Sequence, residues 1–147
     1  MAFGPKPPPI QAHICVKGGV DAIAFYEKAF GGVYTMKHMA EDGQRVFHAN
    51  IELFGSEVMM HDEFPEFGDN VRAPPTLGGA SLTINVNRPQ PAEVDAIVAR
   101  APAAGATVIL EPQDVFWGSR YAKVRDPFGH VWAFNAPLPQ NTEGHSS

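Results

Sequence analysis

The tetrapeptide Val-Asp-Ala-Ile occupies residues 20–23 and occurs again at residues 94–97, a shift of 94 − 20 = 74 positions. At the same shift, the dipeptide Phe-Gly at residues 54–55 falls on the Phe-Gly at residues 128–129. Separate features that hold one register over the length of a module indicate an internal repeat. The sequence therefore predicts that one structural unit is present twice in this chain.

Local signals follow the same order in both copies, which predicts an α+β fold built from two tandem βαβββ modules. Apolar residues recur at helical spacing after the first strand. Glycine then follows each helical segment, at Gly31 and Gly105, where a left-handed C-cap favours it. Turn-forming sequences separate the three later strands. The first strand and the helix are predicted at residues 10–16 and 19–30 in copy one, and at residues 81–87 and 91–104 in copy two.

The two-residue period of a strand divides each predicted sheet into an apolar face against the helix and a polar face. The apolar face of copy one is predicted to carry Ile10, Ala12, Ile14, Val16, Phe47, Ala49, Ile51, Leu53, Val58 and Met60. Its polar face is predicted to carry Gln11, His13, Cys15, His48, Asn50, Glu52, Glu57, Met59 and His61. The corresponding sets in copy two are Leu82, Ile84, Val86, Trp132 and Phe134 against Ser81, Thr83, Asn85, Ala133 and Asn135. Residues 119–125 follow neither parity, so their faces stay unassigned.

A chain of 147 residues, 44% of them hydrophobic, is large enough to fill one domain core. Two polar sheet faces that curl toward each other would enclose a space suited to a small molecule. The proline-rich start is predicted to be an extended arm, and the polar end a disordered tail. The predicted divisions are the arm at 1–9, module one at 10–62, a connector at 63–78, module two at 79–136, the whole domain at 10–136, and the tail at 137–147.

The net charge and the cysteine content limit the kinds of binding partner and the cellular location that the sequence predicts. The formal net charge of −5 and the lack of a Lys or Arg cluster argue against nucleic acid. No apolar run reaches the roughly 20 residues of a membrane span, and the N-terminus lacks the apolar stretch of a secretory signal. Cys15 is the only cysteine, so no disulfide can form within the chain. These features predict a cytoplasmic protein with a small-molecule ligand.

Three segments resemble the vicinal-oxygen-chelate superfamily: AIAFYEKAFGG at 22–32, FHANIELFGSEVMMHDEFP at 47–65, and FWGSRYAKVRDPFGHVWAF at 116–134. That superfamily includes glyoxalase I, bleomycin-resistance and fosfomycin-resistance proteins, and extradiol dioxygenases, and the similarity is to its PhnB-like branch. The resemblance implies the paired-sheet fold of the glyoxalase/bleomycin-resistance type and a homodimer. In catalytic members it also implies a divalent metal in the cleft.

The usual metal ligands are missing from this sequence. Catalytic relatives place them on the first and last strand of each module, and the resemblance carries those positions onto Gln11, Met59, Ser81 and Ala133. Of these, only Gln11 has a side chain suited to a hard or borderline cation. The prediction is therefore a protein without a cofactor.

A displaced divalent metal is the alternative. His13 and His61 each lie two residues beyond a lost ligand position on the same predicted face, and Glu52 or Asp62 can add oxygen donors. The competing interpretation is that these groups hydrogen-bond in or around a ligand pocket.

His48 is the candidate general acid or base, because imidazole titrates near neutral pH, and the alternative is a structural hydrogen bond to a neighbouring strand. Trp117, Arg120 and Tyr121 can hold an anionic or planar ligand. Otherwise they pin a turn by stacking and by an ion pair to Asp114 or Asp126. The predicted ligand-binding residues are Gln11, His13, His48, Asn50, His61, Ser81, Trp117, Arg120 and Tyr121.

Three functions fit this pattern. The first is a small-molecule-binding protein without the usual metal site. The second is a lyase or isomerase that uses a displaced metal or histidine acid/base chemistry, and the third is an assembly module with a vestigial cleft. A homodimer that buries Phe64 and Phe67 of the connector is compatible with each.

Overall fold

The computed structural model describes residues 8–68 and 70–139, which divide into two compact units. The first unit runs to residue 81 and also contains the short segment 127–130. The second unit comprises residues 82–126 and those that follow residue 130. Residues 1–7 and 140–147 lie outside the described part, so most of the predicted arm and tail does too.

The first unit has the βαβββ order that the sequence predicts. Its sheet has the strand order β1-β4-β3-β2, in which β1 runs parallel to β4 and the other pairs are antiparallel. A β-strand followed by a helix and an antiparallel meander gives this order, because the helix carries the chain across the sheet before the meander returns it. The elements are β1 (His13–Val16), α1 (Gly19–Phe30), β2 (Val33–Met39), β3 (Val46–Leu53) and β4 (Ser56–Asp62).

Helix α1 begins and ends at the predicted residues. Gly31 terminates it in the left-handed conformation with φ of 69°, and its N–H donates to the carbonyl of Glu27. At the other end, the first amides have no side-chain cap from the helix itself, and Asp62 of β4 accepts hydrogen bonds from Gly18 and Gly19. This contact ties the start of the helix to the last strand of the sheet.

The apolar face of the sheet packs on α1 as predicted, with three exceptions: Ala12 is only partly buried, and Ile10 and Phe47 are exposed. The residues that are buried there are Ile14, Val16, Ala49, Ile51, Leu53, Val58 and Met60. Ile10 is 90% exposed because β1 begins three residues later, at His13. Phe47 is 54% exposed, so its predicted place in the core is wrong.

A register shift between β2 and β3 explains the position of Phe47. His38 pairs with His48, but the next residue, Met39, pairs with Val46, so Phe47 is an extra residue in β3. A bulge of this kind reverses the faces on either side of it. Val46 is therefore fully buried against the helix, and Phe47 lies on the opposite face beside His48.

The connector after β4 contains a 3₁₀-helix (Pro65–Phe67) and a short helix α2 (Pro74–Leu77). Glu63 holds its two ends together by accepting a hydrogen bond from the amide of Ala73 at 2.7 Å. Burial raises the pKa of Glu63, but the hydrogen bonds from the side chain of Thr76 and from the amide of Ala73 outweigh it, so the pKa lies below its ordinary value. The carboxylate of Glu63 therefore holds the two ends of this part of the connector together.

The segment 127–130 also packs within the first unit. Phe128 contacts the rings of Phe25 and Tyr26 on α1, and the imidazole Nε2–H of His130 donates to the carbonyl of Cys15 at 2.7 Å. Cys15 itself is 3% exposed, although the alternation places it on the polar face of the sheet.

The second unit repeats the same topology. Its sheet has the order β5-β8-β7-β6, with β5 parallel to β8, and Gly105 ends its helix with φ of 113°. Gln90 and Glu93 form a capping box at the start of that helix. The predicted helix at residues 91–104 is therefore confirmed. The elements are β5 (Thr83–Asn87), α3 (Pro91–Ala104), β6 (Thr107–Val115), β7 (Ser119–Arg125) and β8 (Val131–Pro137).

Most of the core of the second unit agrees with the predicted faces. Trp132 and Phe134 are buried as expected, while Leu82 is 64% exposed because β5 begins only at Thr83. Ala133 is 1% exposed, although the alternation places it on the polar face. The faces left unassigned at residues 119–125 are resolved by Ala122 and Val124, which are fully buried.

No helix among the described residues of either unit is long and apolar enough to cross a membrane.

Candidate ligand-binding site

Three of the predicted site residues converge on one pocket in the first unit. This pocket, called the histidine pocket here, has a volume of about 410 Å³. Three imidazole rings form one part of its lining, and three phenyl rings form the other. The lining residues are His13, His48, His61, Phe47, Phe64 and Phe67.

Strand pairing brings the histidines together. His13 of β1 pairs with Met59 of β4, and Cys15 pairs with His61, so His13 and His61 are diagonal neighbours on one face. The ring centroids of His13 and His61 are 5.0 Å apart, and those of His13 and His48 are 5.4 Å apart. Both contacts are edge-to-face. The three histidines thus share the face that the alternation of the strands predicts.

Hydrogen bonds orient two of these rings. The Nε2–H group of His48 donates to the amide oxygen of Asn50 at 2.8 Å, and the Nδ1–H group of His61 donates to the backbone carbonyl of Asp62 at 2.6 Å. A neutral imidazole has one donor and one acceptor nitrogen. In the neutral form each of these rings keeps an acceptor nitrogen, Nδ1 in His48 and Nε2 in His61. Asn50 contributes to the pocket by orienting the ring of His48. The structural hydrogen bond of His48 thus joins it to a residue of its own strand, and not to a neighbouring strand as the alternative interpretation suggested.

Asp62 does not supply an oxygen donor to the pocket. Its carboxylate is 3% exposed and accepts hydrogen bonds from three backbone amides, those of Gly18, Gly19 and Val46, at 2.7 to 3.0 Å. Both oxygens are used in these bonds. The role of Asp62 is to hold the start of α1 and to position His61, whose ring it fixes through its carbonyl.

The alternative ligand set of His13, His61 and Glu52 does not assemble. Glu52 pairs with Glu57, four residues before His61 on β4, which separates the two positions by about 13 Å along the strand. Among residues 8–68 and 70–139, no group of three or more His, Cys, Asp or Glu side chains is arranged to hold a metal ion.

The phenyl rings of the histidine pocket are the part that sequence reasoning missed. The bulge in β3 supplies Phe47. Phe64 immediately precedes the 3₁₀-helix and Phe67 is the last residue of that helix. Phe64 and Phe67 are stacked with centroids 5.5 Å apart, and Phe64 meets the ring of Phe47 at 5.6 Å. Phe64 is 5% exposed, so its predicted part in a dimer surface is wrong. The one signal in the sequence is the adjacent apolar pair Val46-Phe47, which fits either parity.

Gln11 and Ser81 lie apart from the lining. The amide of Gln11 donates to the backbone carbonyl of Glu57 at 2.9 Å and to its carboxylate at 3.2 Å. Ser81 is exposed and precedes β5, so it is not on a strand face. The structure does not bring either residue to the histidine pocket.

Arg120, in the second unit, is bound in ion pairs. Its guanidinium donates to Asp95 at 3.0 and 3.1 Å and to Asp114 at 3.1 Å, and the hydrogen bond to Asp95 is the main cause that raises its pKa. Asp126, the other partner considered from sequence, instead accepts a hydrogen bond from the buried indole of Trp132 at 2.9 Å. The arrangement of Arg120 matches the structural interpretation, in which it pins the turn.

Trp117 and Tyr121 stack in the same region. Their ring centroids are 5.3 Å apart in an edge-to-face contact, and the indole N–H of Trp117 donates to Asn135 at 3.4 Å. Trp117 is 52% exposed and its neighbour Phe116 is 96% exposed. This aromatic group belongs to the second unit, whereas the histidine pocket belongs to the first.

The fold and the site together define a class of protein: two βαβββ modules, the first of which has a pocket of imidazole and phenyl rings on the sheet face opposite its helix. The model of the Glyoxalase/Bleomycin resistance protein/Dioxygenase superfamily matches residues 10–134. The chain belongs to that superfamily. Both the fold and the resemblance inferred from sequence are thereby confirmed.

Relatives and solved structures are consistent with this family. The uncharacterized protein Mb0911c of Mycobacterium bovis is 38% identical over 132 residues, which cover 89% of this chain and 84% of the relative. The crystal structure of TioX from Micromonospora sp. ML1 has a TM-score of 0.66 at 23% identity and covers 91% of this chain and 99% of its own. The PhnB protein of Bacillus cereus has a TM-score of 0.65 at 17% identity, with 88% and 99% covered. The two structural likenesses show the fold.

The residues at the family's metal positions do not fit a divalent cation. Met59 offers a thioether and Ala133 a methyl group that is 1% exposed, and neither donates to a hard or borderline ion. Gln11 is then the one position with a suitable ligand atom, its amide oxygen, and Ser81 lies outside the strand, so the four positions do not form a ligand set. No chemical step is therefore derived through a metal at these positions.

Proposed function

We propose that this chain is a small-molecule-binding protein of the glyoxalase/bleomycin-resistance type whose ligand occupies the histidine pocket. The observation that carries the proposal is the convergence of three imidazoles and three phenyl rings on one cavity of about 410 Å³. That volume lies within the range of about 300–1,000 Å³ that is common for ligand sites. Apolar rings with a few oriented polar groups are the usual composition of such sites.

The chemistry of the pocket favours a planar ligand that donates hydrogen bonds. Phe47 and Phe67 expose 54% and 67% of their surfaces, so their rings offer faces for stacking. The acceptor nitrogens that remain on His48 and His61 can receive an N–H or O–H group from the ligand. In this proposal the ligand is bound without the metal that catalytic relatives use, because the residues at those positions do not coordinate one.

A second candidate function is acid/base catalysis by a lyase or isomerase, and one observation favours it. His48 is held by Asn50 at 2.8 Å, which orients the ring while leaving Nδ1 as a proton acceptor. A general base needs such an orientation and a substrate proton within reach. A carbon acid bound next to His48 would give up its proton to Nδ1, and the imidazolium would return it to a neighbouring carbon.

The proposal is tested by screening cationic, neutral and anionic aromatic compounds for an increase in the unfolding temperature, because a ligand of the native state stabilises it. Binders are then titrated by calorimetry against His48→Ala and His61→Ala. His38→Ala is the matched control, since His38 is a strand histidine outside the pocket lining. We expect at least a tenfold loss of affinity in the pocket variants and less than a twofold change in the control. Equal affinities in all three variants would refute the assignment of the site.

A second assay on the compounds that bind separates binding from catalysis. Compounds that bind are incubated with the protein and followed by NMR for chemical conversion. Turnover that disappears in a His48→Gln variant, while the affinity for a product analogue remains, would establish His48 as a catalytic residue. Unchanged compounds after long incubation support the binding function alone.

Two further parts of the proposal concern the setting of the protein. We infer a homodimer from the family resemblance, and sedimentation velocity over a range of concentrations tests it. A cytoplasmic location rests on the single cysteine, Cys15, because a chain that forms no internal disulfide is compatible with the reducing cytosol.

A further inference from the structure

A second cavity of the first unit lies at the tip of the β2–β3 hairpin, next to the 3₁₀-helix. This cavity, called the hairpin pocket here, has a volume of about 580 Å³. It shares Phe47, Phe64 and Phe67 with the histidine pocket. The two cavities therefore adjoin the same group of three phenyl rings, and a ligand that stacks on those rings in the histidine pocket can reach into the hairpin pocket.

The hairpin pocket has a negative charge. Its lining contains the carboxylates of Glu41, Asp42 and Glu66 and the guanidinium of Arg45, which leaves a net charge of −2. Hydrogen bonds keep two of the carboxylates ionised: the amides of Arg45 and Gln44 and the Arg45 guanidinium lower the pKa of Asp42 to about 2, and Arg45 lowers the pKa of Glu66. The negative charge therefore persists well below neutral pH.

Arg45 is committed to partners within the protein. Its guanidinium pairs with Asp42 at 2.7 Å and with Glu66, donates to the carbonyl of Glu63 at 3.0 Å, and lies 4.4 Å from the centroid of the Phe64 ring. This cation–π contact involves the ring of Phe64, the most buried of the three, and leaves the rings of Phe47 and Phe67 exposed. Since its donors are directed at internal acceptors, Arg45 is poorly placed to receive an anionic ligand.

We propose that the hairpin pocket binds the positively charged end of an aromatic organic cation whose ring system stacks on Phe47 and Phe67. The inference rests on the proposed function, because the ligand body occupies the pocket proposed there. Glu41 provides the attraction that distinguishes a cation from a neutral compound of the same shape. It lies in the pocket lining at the hairpin tip, and it is distinct from the two carboxylates with which Arg45 pairs, those of Asp42 and Glu66.

Three probes of one shape test the charge preference: 2-naphthamidinium, 2-naphthamide and 2-naphthoate. Calorimetry with the full chain at low salt is expected to give the order cation, neutral, anion, with the cation bound about fivefold more tightly than the amide, as a charge of −2 at several ångströms in a solvated pocket implies. The preference should disappear as salt rises from about 0.01 to 1 M, because the screening length falls from about 30 to 3 Å.

Variants of the hairpin locate the preference. Glu41→Gln is expected to reduce the ratio of cation to amide affinity by about half, and Glu41→Lys to abolish it, while the affinity for the amide stays within twofold. Glu111→Gln, an exposed carboxylate on β6 of the second unit, is the control and should leave the ratio unchanged. Phe67→Ala should weaken the cation and the amide together, because both lose the stacking surface.

The outcomes distinguish this inference from the proposed function. Equal binding of cation and amide, with both weakened by His61→Ala, overturns the cation preference and leaves the histidine pocket as a binding site. A cation preference that Glu41→Lys does not change overturns the location. If none of the three probes binds, the inference is wrong, and the broader compound screen decides the proposed function separately.

Discussion

Replacing Asp62 with asparagine removes a buried carboxylate on which the helix, the sheet and the histidine pocket all depend. The carboxylate accepts hydrogen bonds from the amides of Gly18, Gly19 and Val46. Asparagine has almost the same shape and keeps one acceptor oxygen, but its NH₂ group faces the remaining N–H donors. Oδ1 accepts from Gly18 and Gly19 and Oδ2 accepts from Gly19 and Val46, so one of the three amides loses its acceptor whichever position the remaining oxygen takes.

The magnitude follows from these contacts. A hydrogen bond to a charged group stabilises a protein by about 1.5–3 kcal/mol. Loss of one such bond, together with the change of the other two to bonds with a neutral acceptor, is expected to lower the free energy of unfolding by roughly 2–4 kcal/mol. The lost attraction between the carboxylate and the N-terminus of α1 acts in the same direction. For a chain of this size, the unfolding temperature should fall by roughly 5–15 °C.

Urea titration followed by circular dichroism measures the change, and Asp114→Asn is the matched control. Asp114 is an exposed carboxylate whose side chain retains 63% of its accessible surface, and it bonds to Arg120 alone among the ion pairs described. Its replacement should cost less than about 1 kcal/mol. If Asp62→Asn shifts the midpoint no further than Asp114→Asn, the assignment of Asp62 as the acceptor of three backbone amides is refuted.

Three further outcomes are expected. The pKa of Asp42 in the folded protein is about 2, below its ordinary value of 3.8. Its contribution to stability is therefore complete above about pH 4 and is lost as the pH falls through 2. The free energy of unfolding of Asp42→Asn should depend less steeply on pH between these values, and an unchanged slope would contradict this. Phe47→Ala should cost less than about 1 kcal/mol of stability because the ring is half exposed, whereas Ile51→Ala should cost about 2–5 kcal/mol; equal costs in urea unfolding would place Phe47 in the core. Protein purified without a histidine tag should contain less than about one zinc ion per ten chains after dialysis, because Met59 and Ala133 replace the donors that a structural or catalytic zinc requires; stoichiometric zinc by elemental analysis would favour the alternative of a displaced site.

The repeat and the helices could be predicted because their signals are local. A glycine that must adopt a left-handed conformation ends each helix, and proline at position 91 starts the second one in a position where its missing N–H is harmless. Both helices were placed at the observed residues for this reason. The predicted strand starts at residues 10 and 81 precede the observed starts by three and two residues. The alternation of apolar and polar residues continues into the exposed residues before each strand, and alternation alone does not show whether a residue pairs with a neighbouring strand.

The histidines of the site could also be predicted, because strand parity alone places His13, His48 and His61 on one face. The phenyl rings of the histidine pocket could not be predicted from the sequence. Phe64 and Phe67 depend on how the connector folds back, which long-range contacts such as the Arg45 ion pairs decide. The predicted roles of Glu52 and Asp62 failed for a related reason: parity gives the face of a strand but neither the position along it nor the hydrogen bonds that already occupy a side chain.

The bulge at Phe47 links the stability of the fold to the formation of the site. Without the extra residue, regular alternation would place Phe47 against α1 and turn Val46 outward, as the sequence pattern suggests. The observed arrangement buries Val46 completely, and the N–H of that residue donates to Asp62 at 2.7 Å. The carboxylate that holds the start of α1 thus also satisfies an amide at the irregular end of β3, where a regular ladder is interrupted. The ring that this irregularity releases, that of Phe47, is one of the three rings that the histidine pocket and the hairpin pocket share. It follows that a variant such as Asp62→Asn, at temperatures where it is still folded, should weaken ligand binding through Phe47 as well as through His61.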